Sequence, residues 1–482
     1  MSADLALLPV AELAQRIRSG HATARAAVEA CLARIETWNK RLNAFVLLEA
    51  DHARKAADLA DAEAKRGRWR GALHGVPMAH KDMYYRTGRV ATCGSKIRRD
   101  WVASSTATAL ARLDAAGALD LGTLNMAEFA FGPTGHNWHL GHARNAWSPD
   151  HITGGSSSGS ATAVAARMIP AALGSDTGGS IRLPAHYCGV VGIKPTWGRV
   201  SRANAMPLSW SLDTVGPLTR TVEDAAMILG LIAGPDPADP TAAVEPVPDY
   251  VGALARGVRG LRIGRPTGFF TETDADTASR LDDAARVFEQ LGAEIVSVAL
   301  PDMEQINALH AMVLPAEAVT IHREWLRTRP EDYSGQVRSR LEAGLMISAT
   351  VYLDAMRARG PLLAEFTAKV FGACDVLMCA VQAGAAPTLA ESEILPGPEL
   401  GQRLSPFPRF TRPFNYLGLP GLTVPAGFAG SGLPIGMQLV GRSFAETTLF
   451  ATGHAYQQAT EWHRLVPEGA PARQARQKED VT

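Results

Sequence analysis

The sequence predicts an α/β fold: a single large α/β/α layered domain over 1–482, with a central mixed, mostly parallel twisted sheet covered by helices. Three observations lead there. Strand-like apolar segments alternate with helical patterns along the whole chain, the order that builds a sheet with helical covers. A complete strand–helix–strand unit stands at 261–298. There LRIG (261–264) and EIVSV (294–298) flank a stretch that places Leu281, Ala284, Phe288 and Leu291 on one side, which implies parallel pairing. Finally, 482 residues that are 46% hydrophobic and 20% charged can bury a large core and lie outside the composition of disordered chains.

The elements follow in order. Residues 1–70 read as helices, with Val28, Leu32 and Ile35 at i, i+4, i+7 on one buried stripe. ALHGVPMAHKDMYY (72–85) is apolar and punctuated by Gly and Pro, so it reads as a buried strand. AGALDLGT (116–123) reads as another, entered from a helix over 105–115. Ala161–Met168 is a helical piece between two Gly/Ser clusters. Thr221 with Asp224 gives a capping start for a helix over 222–232. Five prolines between 235 and 248 mark a surface excursion. Residues 302–372 form a mostly helical excursion. GLTVPAGF (421–428) and IGMQLVG (435–441) are late strands, Thr447–Thr460 is a final helix, and the polar tail 469–482 is expected to fray.

Charge and composition exclude several classes. Lys plus Arg and Asp plus Glu are both 48, so the net charge is zero, and binding of nucleic acid or an anionic membrane by bulk charge is not expected. No run of about 18 apolar residues is present, and the N-terminal stretch carries Asp4 and Glu12 without a basic leader. Five scattered cysteines fit reduced thiols and a cytoplasmic location better than a disulfide framework.

The chemistry concentrates in 150–200, within a catalytic segment at about 72–232. Gly154-Gly155-Ser156-Ser157-Ser158-Gly159-Ser160 and Gly174-Ser175-Asp176-Thr177-Gly178-Gly179-Ser180-Ile181-Arg182 flank an Ala-rich helix. Glycines let the backbone approach a ligand closely, and successive N–H groups form an anion-binding nest. A serine closing such a nest has its hydroxyl beside donors suited to a developing oxyanion, the arrangement that acyl transfer requires. A flexible linker would not embed Asp176 and Arg182 around its serine. A phosphate loop would need G-x-x-x-x-G-K-[ST], which is absent. Gly155–Gly159 matches G-x-S-x-G, a nucleophile elbow centred on Ser157. That elbow needs a buried strand before it, and 147–153 is polar and broken by Pro149.

The run GGSSSGSATAVAARMIPAALGSDTGGSIRLPAHYCGVVGIKPTWGRVS resembles the amidase signature family throughout. GVPMAHKD, LNMAEFAFG, GLTVPAGF and GLPIGMQLVGRSF extend the resemblance from about residue 5 to 465. It implies an amidohydrolase with a Ser–cis-Ser–Lys triad working through an acyl-enzyme, with Ser180 as nucleophile, Ser156 as proton relay and Lys81 as base. The oxyanion hole would be the N–H groups of Thr177, Gly178, Gly179 and Ser180. Ser157, Asp176 and Arg182 would support the triad, and Phe129, Ala130, Phe131, Gly132 and Pro133 would line the acyl pocket. No metal or organic cofactor is implied.

Such a base works only when neutral. A free lysine titrates near 10.4 and base catalysis wants about 7–8, which costs about 4 kcal/mol. Desolvation on a buried strand can supply it. Asp82, next along the strand, points to the other face and should not pin Lys81 in a salt bridge.

His136, His139 and His142 recur every third residue. They lack an Asp, Glu or Cys companion at ligand spacing and are expected at the pocket mouth. The resembling family also includes the glutaminyl-tRNA-forming amidotransferase A subunit, which holds the head of glutamine through an arginine and an aspartate. Those positions fall near Leu363 and on Pro408, so both charged contacts are expected to be missing. The expected substrate is therefore a small or mid-sized uncharged aryl or acyl amide, with carbamate or ester side activity. Expected partners are the small-molecule amide alone, with no nucleic acid and no membrane, and a homodimer left open. The alternatives are a Ser157-centred esterase and the glutamine-hydrolysing component of the amidotransferase.

Overall fold

The computed structural model describes residues 5–397 and 399–467; the tail expected at 469–482 lies outside them. Among the described residues, eleven strands form one sheet. In chain order they are β1 (Phe45–Leu48), β2 (Pro77–Lys81), β3 (Leu119–Leu124), β4 (Ala171–Asp176), β5 (Val191–Lys194), β6 (Thr214–Thr219), β7 (Arg262–Pro266), β8 (Glu294–Val298), β9 (Val376–Ala380), β10 (Gly421–Phe428) and β11 (Pro434–Val440). Their spatial order is β1-β3-β2-β4-β6-β5-β10-β11-β9-β7-β8. Pairing is parallel through β3-β2-β4 and through β9-β7-β8. It is antiparallel from β4 across to β9 and at the β1 edge. The chain thus forms a single α/β domain around a mixed sheet.

Strand alternation explains the layers. Met78, Ala171 and Leu173 belong to one apolar core, with the helices Val222–Ile232 and Ala275–Gln290. Their chain neighbours Ala79 and Ala172 belong to the other, with the helices Ala24–Leu42, Ala50–Lys65 and Ser158–Ala165. Successive side chains on a strand point to opposite faces, so each buried strand feeds both cores. The start of Val222–Ile232 is fixed as expected, by the Thr221 side chain accepting from Asp224 N.

The unit at 261–298 is a parallel β7–helix–β8 crossover with Ile263 opposite Ile295. The stretch 302–372 folds into Met303–Thr328, Gly335–Gly344 and Ala349–Lys369. Four strands had no distinct sequence signature. β1 is four residues inside a helical region. β4 reads AALGSD, and its Gly and Ser hide a fully buried strand. β5 and β6 are short and interrupted by Gly or Pro.

Candidate active site

β2 is buried along its whole length and ends at Lys81, whose side chain is fully buried. Its Nζ lies 2.6 Å from Ser156 Oγ, 3.1 Å from Ser157 Oγ and 2.8 Å from Ser175 Oγ. Asp82 turns away and accepts from the backbone N–H and hydroxyl of Thr92. Burial lowers the Lys81 pKa from 10.5 to about 7, against an upward pull from Asp176 and Asp213. A neutral amine has two N–H groups and one lone pair, so one of the three hydroxyls must donate to it. Ser157 Oγ donates to the Ser175 carbonyl, and Ser156, at the shortest distance, is well placed to be the donor.

The two Gly/Ser clusters meet over this amine. Ser156 follows a cis peptide with Gly155. A Cβ on Gly155 would sit 2.3 Å from the Gly132 carbonyl, so only glycine permits this close approach to 132–135. Ser157 N donates to the Ser180 carbonyl at 3.3 Å. Beyond β4 the chain turns through 177–181 into the helix Arg182–Cys188.

Asp176 organises that turn. Its carboxylate accepts from Gly179 N at 2.8 Å, Ile181 N at 3.1 Å, Arg182 Nε and Nη2 at 3.0 Å, and Asn415 Nδ2 at 2.9 Å. Burial alone would raise its pKa, but Arg182, itself completely buried, holds it well below the usual carboxylate range. The Gly179 N–H, one of the four oxyanion donors expected, is therefore committed to Asp176 instead. The N–H groups of Gly178 and Ser180 have no protein acceptor among the described residues. Gly179 has φ +134°, and a Cβ there would lie 2.2 Å from Thr411 Oγ1.

A small pocket opens over Ser180. Ala130, Phe131, Gly132 and Pro133 line it, together with Gly155, Thr177 and Gly178. Phe129 does not. It packs against His322, Trp325 and Tyr333, with ring centroids 4.4–5.8 Å away, and belongs to the core. Ser157 also stays out of the pocket and faces Lys81 and Ser175, so the elbow reading has no exposed nucleophile. The expected histidine rim is not there either. His136 bonds Thr134 Oγ1 and the Leu389 carbonyl, His139 pairs with Glu128, and His142 accepts from Asn137 N.

The pocket is not uncharged. Leu363 packs against the core, but Arg340, from Gly335–Gly344, and Arg412 both line the cavity, and Pro408 forms part of its wall. The Arg340 guanidinium lies 3.7 Å over the Phe131 ring and donates to the Phe131 carbonyl. Arg412 donates to Ser405 Oγ. Neither forms a salt bridge among the described residues, and burial lowers them to about 9 and about 10. Sequence reasoning missed these arginines, Ser175 and His310. Ser175 stood inside a stretch already singled out; Arg340, Arg412 and His310 lie on helices without a local motif.

The Amidase family model matches residues 26–450. The A component of the glutamyl-tRNA(Gln) amidotransferase from Halorhodospira halophila is 41% identical, with 95% of this chain and 99% of that protein covered. Among solved structures, one of a vestigial protein complex that reveals the evolutionary origins of an s-triazine catabolic enzyme superposes with a TM-score of 0.87 at 34% identity, covering 94% of this chain and 98% of that one. The peptide amidase of Stenotrophomonas maltophilia superposes with a TM-score of 0.83 at 31% identity, covering 94% and 97%. These relatives overturn the expectation of a small-molecule substrate alone, with no nucleic acid and no partner beyond a second copy. The Halorhodospira protein is named as one subunit of an enzyme whose name carries a tRNA. Zero net charge argues only against binding by bulk charge; it does not bear on a nucleic acid held through another protein. No helix among the described residues is long and apolar enough to cross a membrane.

Proposed function

The chain belongs to the Amidase family, and from that premise we propose how it cleaves amide C–N bonds and which amides it takes. It is an amidohydrolase. Ser180 Oγ attacks the amide carbonyl carbon and passes its proton to Ser156, whose own proton moves to the Lys81 lone pair. The N–H groups of Gly178 and Ser180 receive the oxyanion. Lys81 then returns its proton through Ser156 to the leaving nitrogen, the C–N bond breaks, and an acyl-Ser180 ester remains. Water enters by the same relay, releases the carboxylic acid and restores the Ser180 hydroxyl. The Ser180 hydroxyl makes no hydrogen bond to the protein among the described residues, and catalytic contacts of this kind commonly tighten only with substrate bound.

The substrate is an amide whose acyl part ends in a carboxylate. One observation carries this: two arginines without an acidic partner among the described residues, Arg412 buried and Arg340 half-buried, line the cavity that Ser180 also lines. A second reading, favoured by the A-type relatives, is glutamine hydrolysed by a component that works with partner proteins and a tRNA-linked acceptor. All five cysteines are buried and outside disulfides among the described residues, which fits work in a reducing cytoplasm.

Ammonia release should be followed from glutamine, glutaramate and butyramide, with the protein alone and with the other subunits of a relative's amidotransferase plus glutamyl-tRNA. A charge-assisted contact is worth about 1.5–3 kcal/mol, so the acids should exceed butyramide in kcat/KM by about 10–100-fold. Butyramide turned over equally well would dismiss the acid-binding role. Stimulation by the added proteins would support the amidotransferase assignment. Activity surviving in Ser180→Ala would show that the nucleophile is another residue.

A further inference from the structure

His310 lies on the helix Met303–Thr328 and is 1% exposed. It lines the same cavity as Ser180, Arg340 and Arg412. Its Nε2 is 2.9 Å from the Thr177 carbonyl. A carbonyl only accepts, so Nε2 carries the hydrogen and Nδ1 presents a lone pair. That Nδ1 is buried and has no hydrogen-bond partner among the described residues, an arrangement uncommon in native interiors. Burial, reinforced by the neighbouring Arg412, lowers the ring to about 3 and keeps it uncharged.

Resting on the acid-binding reading above, we infer that His310 Nδ1 accepts a hydrogen bond from a neutral O–H or N–H group carried on the acyl part of the substrate beside its carboxylate. An ammonium group suits the site poorly. Among the described residues the lining holds two guanidinium groups, includes no Asp or Glu, and has the apolar ring of Pro408 in its wall. A third positive charge would find one neutral acceptor and two repelling neighbours. A hydroxyl, amide or ureido hydrogen satisfies Nδ1 without that repulsion. The substrate class is thus a 2-hydroxy or 2-acylamino acid amide rather than a free amino acid amide.

The test compares kcat/KM for glutaramate, 2-hydroxyglutaramate, glutamine and butyramide under one set of conditions. The hydroxyl should raise kcat/KM about tenfold over glutaramate, and glutamine should fall below the hydroxy acid. His310→Leu should lower every rate, because the Nε2 contact to Thr177 is lost as well, and should erase the hydroxyl advantage. His310→Asn can offer both a donor and an acceptor and should keep it. Equal rates for glutaramate and 2-hydroxyglutaramate in the wild type, a ratio unchanged in His310→Leu, or glutamine as the best substrate would each overturn the inference. If His310→Leu does not fold, the wild-type ratios decide alone. If acids show no advantage over butyramide, the acid-binding reading beneath it fails; if acids win but the hydroxyl adds nothing, only the role of His310 fails.

Discussion

The pH profile of kcat/KM tests the centre of the mechanism. Lys81 must be neutral to accept a proton, and burial moves it from 10.5 to about 7. At about 1.36 kcal/mol for each tenfold change in the proton equilibrium, that is about 5 kcal/mol of differential desolvation. Below the midpoint the active fraction falls tenfold per pH unit, so activity at pH 5 should be about one hundredth of the plateau reached above pH 8. The assay is initial-rate ammonia release from butyramide, which does not titrate in this range. Asp82, raised to about 6 by burial, could produce a break in the same window. It is tied to Thr92 and turned from Lys81, so Asp82→Asn should keep the break near 7. A flat profile from pH 5 to 9, or a break above 9, would refute a buried neutral lysine as the base.

Three further outcomes follow from the same geometry. The unfolded chain binds the Lys81 proton with a pKa of 10.5 and the folded chain with about 7, so this group makes wild-type stability rise with pH between those values. Lys81→Met loses that slope, and the difference in unfolding free energy between the two proteins should change by about 2 kcal/mol from pH 7 to 9 in urea titrations; parallel curves would show that Lys81 is not desolvated. Gly179→Ala places a Cβ against Thr411 Oγ1 at a φ of +134°, so the nest distorts and turnover should drop at least a hundredfold while most of the fold survives; wild-type rates would mean the turn is not rigid. Arg182→Met leaves Asp176 buried and unpaired, which should destabilise by about 3–5 kcal/mol and, in the protein that folds, move the pH break upward; a break still at 7 would show that Asp176 exerts no field on Lys81.

What the sequence revealed and what it hid divide along contact range. The two Gly/Ser clusters were legible because nests and positive φ demand particular residues in a row, and Asp176 binds N–H groups three and five positions along the chain. Lys81 was legible because VPMA before it is apolar enough to be a buried strand. The acyl pocket was not. His310, Arg340 and Arg412 reach Ser180 from helices 130 to 232 positions further along the chain, and nothing local distinguishes Arg340 from Arg338, which points outward to Glu342. Phe129 misled for the same reason: its neighbours at 130–133 line the cavity, while a φ of +49° turns its ring into the aromatic core instead.

The depressed lysine exists only because the nearby carboxylates are occupied. An unpaired carboxylate about 4 Å from an ammonium at an effective dielectric of about 20 is worth about 4 kcal/mol, nearly all that burial withholds from Lys81. Asp176 spends its charge on Arg182 and on the backbone of its own turn. Asp213 is itself raised by burial and is engaged by Thr177 Oγ1 and by the N–H groups of Leu208 and Ser209. The hydrogen bonds that shape the nest therefore also quench the negative charge that would protonate the base. Arg182 in turn is held by Gln438 and Asn415, at 2.6 Å each, from β11 and from the helix Arg412–Tyr416. Nest geometry and lysine basicity are thus one property of the fold, and a substitution that frees Asp176 should damage both together.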